Sequence, residues 1–372
     1  MLLLPILLIN LVLFILWKSH IDIETSGLFL ATIPSLLALL FMSTLVFDRL
    51  RVDYYIYTYA FIYILAFIIS FYSTSFGNLY QILMVPITLI FSLQVAHLID
   101  KKALHRILVF MTVFLLAFFI YNYTYSPSSL WFSYVETYAR SDRYTLGFVK
   151  PSYAAEYLLI IVYIALLSFK HRIVHALVVS LIFMLLLMID SRAALLSLSV
   201  LYVNLYWGSL LKSYRLTLLI FIIVMLYLSL FGYKYPDKDS VDLLSSGRIK
   251  IWLIEIDANL HSIWDLLLGN ISPTVYFEYS SDRDSEKFHI DSFYVEYFIR
   301  TGLLGLSILY LIVHHVHSCL EPRHKSIFVS ILVYGIFENS ILSMTSLFGL
   351  FSLLLVFQGF DQNNINRRVK EC

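Results

Sequence analysis

Apolar runs long enough to cross a lipid bilayer recur along almost the whole of this chain. A helix of about 20 apolar residues spans the roughly 30 Å of hydrocarbon in a membrane, and helices satisfy their own backbone hydrogen bonds there. Such runs lie at 1–17, 28–47, 54–70, 79–96, 104–122, 153–169, 173–189, 193–210, 216–232, 292–313, 326–340 and 344–358. The sequence therefore predicts an all-α, polytopic integral membrane protein with about twelve transmembrane helices.

Composition excludes a soluble domain of this size. The 372 residues are 60% hydrophobic and 14% charged, against roughly 45–50% and roughly 25% in soluble proteins. The net charge of +1 gives no indication of nucleic acid binding. Residues 1–17 lack a basic leader and a small-residue cleavage site, which predicts a retained first span. Cys319 and Cys372 both fall outside the predicted outer segments, so no structural disulfide is expected.

The basic residues predict the orientation, because short cytoplasmic loops carry an excess of Lys and Arg. With twelve spans, the basic connections at 48–51, 101–106, 170–172, 212–215 and 323–325 and the basic tail at 367–370 all fall on one side. Both termini are therefore expected in the cytoplasm. The whole chain, 1–372, is interpreted as one transmembrane domain, with long outer loops at about 122–152 and 233–291.

A helix is predicted at 247–263 within the larger outer loop, because apolar residues recur there at helical spacing. Ser245 or Ser246 is a candidate N-cap, and Arg248 lies at the N-terminal end. With Trp252 and Trp264 on it, this helix either lies flat at the membrane surface or is a short amphipathic packing helix.

Three segments in order resemble bacterial O-antigen and capsular polysaccharide polymerases (Wzy-type) and the related O-antigen ligases. Residues 143–152 (RYTLGFVKPS) are similar to that family's R-x-x-L-G-F-x-H-P-N, and residues 190–194 (DSRAA) to its S-R-G/A-A. Residues 246–252 (SGRIKIW), 290–294 (IDSFY) and 300–306 (RTGLLGL) are similar to its G-R-x-x-x-W, D/H-N-x-Y and G-L-L-G-L. The likeness covers roughly residues 140–310.

The chain departs from these patterns at two places. H-P-N is replaced by Lys150, Pro151 and Ser152, and D-N by Asp291 and Ser292. In the ligases a histidine occupies the place of Asp291, whereas the nearest histidine here is His289. The resemblance thus favours a polymerase over a ligase and leaves the general base open between Asp291 and His289.

The resemblance implies transfer between polyprenyl-diphosphate-linked oligosaccharides at the outer face of the bacterial cytoplasmic (inner) membrane, with release of polyprenyl diphosphate. A chain-length regulator and a flippase are candidate partner proteins, and no cofactor is expected. The sequence contains no P-loop pattern, which agrees with an activated lipid as donor.

Arginine suits a diphosphate leaving group, because its planar fork binds phosphate oxygens bidentately and stays charged. Arg192 and Arg248 are assigned to the catalytic site with Asp291 and His289. Arg143, Arg300, Lys150, Glu338 and Tyr294 are assigned to substrate binding. The alternative is structural: ion pairs of Asp190 with Arg192 and of Glu296 with Arg300, an interhelical hydrogen bond at Glu338, and Asp291 as the N-cap of the next helix.

Other interpretations stay open. Asp237 with Asp239 and Asp282 with Asp284 have the D-x-D form that binds metal in many glycosyltransferases, but neighbouring Lys and Arg oppose a cation, and no metal site is assigned. A lipid-linked-glycan flippase or transporter would also have twelve spans with both ends inside. Against it, the connection between the sixth and seventh spans is little more than residues 170–172. An O-antigen ligase would share the fold.

Overall fold

A computed structural model describes residues 55–59, 61–62, 88–90, 92–94, 96, 101–132, 143–169, 172–206, 248–270, 277–278, 287–288, 292–338, 340 and 347–360. This part of the chain is predominantly helical. The longer helices are α1 (Lys101–Tyr125), α2 (Pro151–Ser168), α3 (Arg172–Ile189), α4 (Arg192–Tyr206), α5 (Arg248–Asn259), α6 (Ile263–Leu268), α7 (Phe293–Cys319), α8 (Pro322–Tyr334) and α9 (Leu347–Gln358).

Three of the described helices are long and apolar enough to cross a membrane: Lys102–Tyr125 within α1, Pro151–Ser168 (α2) and Phe293–Cys319 (α7). Shorter apolar helices correspond to most of α3, α4 and α9. All of them coincide with predicted spans, with ends that differ by a few residues. The mostly helical fold with candidate membrane spans is therefore confirmed. The predicted spans 1–17, 28–47 and 216–232 lie outside the described residues.

The start of α2, the start of α7 and the end of α8 lie together. The Tyr334 hydroxyl at the end of α8 donates to the Ser152 carbonyl at the start of α2, 3.5 Å away. The Phe293 N–H that begins α7 donates to the Gly335 carbonyl at 3.1 Å and to the Glu338 carbonyl at 3.4 Å. We call this the loop end of the bundle, because both long predicted loops lead into it.

Other contacts join the helix ends at the opposite end of the bundle. The Glu321 N–H before α8 donates to the Gly359 carbonyl after α9, at 3.2 Å. The Tyr202 hydroxyl near the end of α4 lies 3.2 Å from Nε2 of His175 near the start of α3. Helices α3 and α4 therefore run in opposite directions, and so do α8 and α9.

Small polar side chains join the middle of the bundle. Ser197 on α4 and Ser330 on α8 each donate to the other's backbone carbonyl at 2.8 Å, and the Tyr163 hydroxyl on α2 lies 2.9 Å from Ser330 Oγ. All three side chains are buried. Small residues allow close backbone approach, and such hydrogen bonds hold helices together where water is excluded.

The helix predicted at 247–263 is divided in the structure. Helix α5 ends at Asn259 and α6 begins at Ile263, because Ser262 and Asp265 form a capping box that starts a new helix. Trp252 is buried, with 7% of its surface exposed, whereas Trp264 is 68% exposed. The helix carrying Trp252 therefore packs against protein, and only the separate helix carrying Trp264 presents an apolar surface.

Helix α7 is kinked at Gly302, where φ is 62° and ψ is −163°. A side chain at Gly302 would meet the backbone of Leu267 and Gly269, and one at Gly269 would meet the backbone of Arg300 and Thr301. The Asn270 N–H donates to the Ile299 carbonyl at 2.7 Å, which satisfies an acceptor released by the kink. The end of α6 thus packs backbone to backbone on α7.

Short antiparallel strands occur in both long loops. Strand β1 (Trp131–Phe132) pairs with β2 (Arg143–Tyr144), with Trp131 opposite Tyr144. Strand β3 (Phe277–Glu278) pairs with β4 (Lys287–Phe288). The first pair folds the loop after α1 back towards the start of α2, which positions Arg143 near the helices.

Candidate functional site

The loop end of the bundle brings together residues that are distant in sequence. Arg248 is the first residue of α5, and its Nη2 lies 3.3 Å from Oε1 of Glu338, in the turn after α8. Both side chains are partly buried, 26% and 14% exposed. Two residues that the sequence assigned to the site for different reasons are therefore in contact.

Glu338 is fixed by the start of α7, because its carbonyl accepts from the Phe293 N–H. The N-cap of α7 is Ser292, whose Oγ accepts from the Val295 N–H at 3.4 Å. Ser292, and not Asp291, is therefore the N-cap of α7. The N-cap role had been considered as the alternative for the Asp291 carboxylate. Asp291 and His289 themselves lie outside the described residues.

Tyr334 and Glu156 form the buried side of this cluster. Tyr334 is fully buried, and its hydroxyl interacts electrostatically with Glu338, Glu156 and Arg248. Glu156 lies on the second turn of α2 and is 3% exposed. The segment Lys150–Ser152, the end of the first resembling motif, thus leads directly into the cluster that contains Arg248.

Arg143 and Asp190 connect the first two resembling motifs. Arg143 Nη2 lies 3.6 Å from Asp190 Oδ2, which joins β2 to the corner between α3 and α4. Asp190, which the sequence analysis considered as a partner of Arg192, thus contacts Arg143. Asp190 has a φ of 51°, which is tolerated by Asp in a tight corner. Arg192 begins α4 immediately after this corner, with its side chain exposed.

The conformation and packing of Gly147 explain why the first motif has a glycine at this position. Its φ is 89°, and a Cβ there would meet the side chains of Asn122 and Phe118 on α1. The turn at Leu146 and Gly147 therefore packs tightly on the end of α1 and directs the chain into α2, which begins at Pro151. Lys150 precedes α2 as its N-cap residue, with an exposed side chain.

Arg300 forms the ion pair that was considered as its structural alternative. Its Nε and Nη2 donate to Oε1 of Glu296 at 3.1 and 3.0 Å. The residue is only 7% exposed, and within the described part of the chain Nη1 has no hydrogen-bond partner. One side of the guanidinium is thus held by Glu296, and the other is a buried donor suited to an anion.

Tyr294 is placed in the packing between α7 and α8. It is 3% exposed, and its hydroxyl donates to the Leu332 carbonyl at 2.9 Å. Its position in the resembling motif is thereby explained by helix packing.

Glu255 on α5 was not singled out from the sequence. It is 2% exposed, and the Asn259 amide donates to its Oε2 at 3.3 Å. Burial raises the pKa of this carboxyl, and the Asn259 hydrogen bond opposes that shift. The sequence could have indicated Glu255 as a site residue, because it lies seven residues after Arg248 and three after Trp252. These positions share one face of a helix.

No three His, Cys, Asp or Glu side chains among the described residues are arranged to hold a metal ion. The D-x-D segments at 237–239 and 282–284 lie outside the described residues. Cys319 is buried, with its Sγ 3.6 Å from Ser318 Oγ. Comparison of the sequence with protein-family models and with curated proteins gives no match.

Proposed function

We propose that this chain is an oligosaccharide repeat-unit polymerase that joins polyprenyl-diphosphate-linked saccharides at the outer face of a bacterial cytoplasmic membrane. The proposal includes about twelve spans with both termini in the cytoplasm, so that the loop end of the bundle faces outward. The observation that carries it is the contact of Arg248 with Glu338 beside the start of α7. Through that contact, Arg248 of the third resembling segment lies at the loop end of the bundle, where the first resembling segment also ends.

A lipid-linked donor needs a site at the edge of the bilayer, since its isoprenoid chain stays in hydrocarbon and its sugars stay in water. The cluster lies where α2 and α7, both of spanning length, begin. Arg248 and the buried Nη1 of Arg300 supply positive charge for a diphosphate. Arg143 and Arg192 lie at the α3–α4 corner, and we assign them to the same substrate.

In the proposed reaction, a hydroxyl oxygen of one saccharide attacks the anomeric carbon of the other, and a new C–O bond forms. The bond from that carbon to the diphosphate oxygen breaks, and its electron pair remains on the diphosphate. Arg248 and Arg300 stabilise the developing negative charge, while the hydroxyl proton passes to a carboxylate or imidazole base. Asp291 is the proposed base, with His289 as the alternative.

Glu338 has a positioning role in this proposal. Its carboxylate accepts from Nη2 of Arg248 and holds the guanidinium in the place where we propose that the diphosphate binds. A held arginine loses less side-chain freedom when a substrate binds, which strengthens binding for the same contacts.

Deletion of the gene, followed by electrophoresis of the surface glycan, tests the proposal. A polymerase deletion leaves glycan with a single repeat unit. A flippase deletion exports no glycan, and a ligase deletion accumulates long chains on the lipid carrier. A ladder of normal chain length after deletion would contradict the polymerase assignment.

A further inference from the structure

Helix α6 exposes nearly all of its apolar side chains. Ile263 is 69% exposed, Trp264 68%, Leu268 51% and Leu267 40%, and no residue of the helix is buried. The helix is six residues long, so these side chains make a dense apolar surface. Surfaces of this kind mark contact with a membrane or another macromolecule.

The exposure is not due to a frayed segment, because both ends of α6 are held. The Asp265 N–H donates to Ser262 Oγ at 3.1 Å, and the Ser262 N–H donates to Asp265 Oδ2 at 2.9 Å. The hydrogen bond with the Ser262 side chain is the main cause that lowers the pKa of Asp265 and keeps it ionised. At the other end, Gly269 packs on the α7 kink at Gly302. The apolar surface is therefore presented in a fixed orientation.

The position along α7 gives the depth of α6. Helix α7 has 27 residues, about 40 Å at 1.5 Å per residue, which exceeds the roughly 30 Å of hydrocarbon. Its long stretch without Asp, Glu, Lys, Arg or His lies between Arg300 and His314. A span of about 20 residues centred on that stretch begins near residue 297. Helix α6 contacts α7 at Ile299–Gly302, at the hydrocarbon boundary on the loop side.

Helix α7 also exposes apolar side chains, beyond the point where α6 contacts it. Leu304 and Leu311 are 55% and 46% exposed, and they share a helix face because they are seven residues apart. Leu304 follows two residues after Gly302, where α6 is packed. Exposed leucines thus occur on a helix of spanning length, starting just below the level of α6, which identifies the surroundings at this depth as hydrocarbon.

We propose that α6 lies in the leaflet of the bilayer on the loop side, with Ile263, Trp264, Leu267 and Leu268 among the acyl chains of phospholipids. Tryptophan is enriched at this depth of membranes, and helices with one apolar face lie in the interface plane. Because α6 is joined to α5 through only Leu260–Ser262, this anchor also fixes the position of α5 and of Arg248. The inference does not depend on which reaction the site catalyses.

Site-directed spin labelling of the full chain in phosphatidylethanolamine–phosphatidylglycerol vesicles tests this placement. Nitroxide is attached to Trp264→Cys, Leu267→Cys or His261→Cys in a Cys319→Ala, Cys372→Ser background. Leu304→Cys is the control for a lipid-facing position on α7, and His261→Cys is the aqueous control before the capping box. Collision with oxygen, which concentrates in hydrocarbon, is compared with collision with a water-soluble nickel chelate.

Labels at 264 and 267 are expected to collide more with oxygen than with nickel, as at 304, and the label at 261 should show the reverse. Greater nickel collision at 264 and 267 would place α6 in water and overturn the inference. Low collision with both reagents would show that protein covers this surface, which also overturns it. Neither outcome bears on the polymerase assignment, which is tested separately by glycan chain length.

Discussion

Arg248 Nη2 lies 3.3 Å from Glu338 Oε1, although the two residues are 90 positions apart in the sequence. The contact links the start of α5, in the large loop, to the turn after α8. Because the Glu338 carbonyl also accepts from the start of α7, three separate segments of chain meet at this point. We interpret the pair as the centre of the site.

Substitutions of the pair separate a binding role from a structural one. Arg248→Ala is expected to lower the rate of chain elongation about 100- to 1,000-fold, the usual effect of removing one donor to developing negative charge. Glu338→Gln should have a smaller effect, since it positions Arg248 without touching substrate. The exchanged variant Arg248→Glu/Glu338→Arg tests the alternative: recovery of elongation would indicate that the pair only holds the helices together.

Arg300 and Glu296 make a buried pair whose removal should first affect stability. Glu296→Ala leaves a buried guanidinium without its carboxylate, and we expect a loss of about 3–5 kcal/mol in unfolding free energy. The double variant Arg300→Met/Glu296→Leu should recover most of this stability, since it removes both charges. Thermal unfolding in detergent measures both. Full elongation activity in the recovered double variant would remove Arg300 from the proposed diphosphate site.

Gly302 should tolerate no side chain, because its backbone conformation is one that essentially only glycine adopts. Gly302→Ala is expected to cost about 1–3 kcal/mol in strain and to displace α6, since the new methyl group would meet the backbone of Leu267 and Gly269. Ser307→Ala is the control, because Ser307 is exposed and lies in regular helical backbone of the same helix. Equal loss of thermal stability in the two variants would contradict this account of the kink.

Glu255 predicts a pH dependence of stability. Burial raises the pKa of its carboxyl in the folded state above the ordinary value of 4.5, so the folded protein favours the neutral acid. The contribution to stability is fully present below the unfolded-state pKa and is lost as pH rises through the folded-state pKa. Glu255→Gln keeps a neutral side chain at every pH. The melting temperature of the native chain should therefore fall relative to Glu255→Gln as pH rises from about 4 to 8, and parallel curves would refute the prediction.

The helical membrane fold was predictable because hydropathy depends on local composition. The ends of α2, α3 and α9 agree closely with the predicted spans for that reason. The division between α5 and α6 was missed, although its signal, Ser262 followed three residues later by Asp265, is present in the sequence. Helical spacing of apolar residues continues across this break, and it concealed the change of helix.

The contacts of the site were less predictable, because they join distant segments. Charge and position singled out Arg248 and Glu338 separately, but no local pattern pairs residues so far apart. The kink at Gly302 depends on the approach of Gly269, which only the folded chain provides. The glycine was noticed as part of a motif, and its physical reason became evident only from the packing of α6 on α7.

The most direct test of the central claim is the product made by the purified chain in proteoliposomes supplied with a polyprenyl-diphosphate-linked repeat unit. Electrophoresis measures the chain length of the glycan, and mass spectrometry measures the released polyprenyl diphosphate. The native chain should give a ladder of products with one polyprenyl diphosphate released for each new linkage, and Arg248→Ala should give both about 100- to 1,000-fold more slowly. A donor that stays a single repeat unit with the native chain, or that crosses the bilayer without elongation, would contradict the assignment.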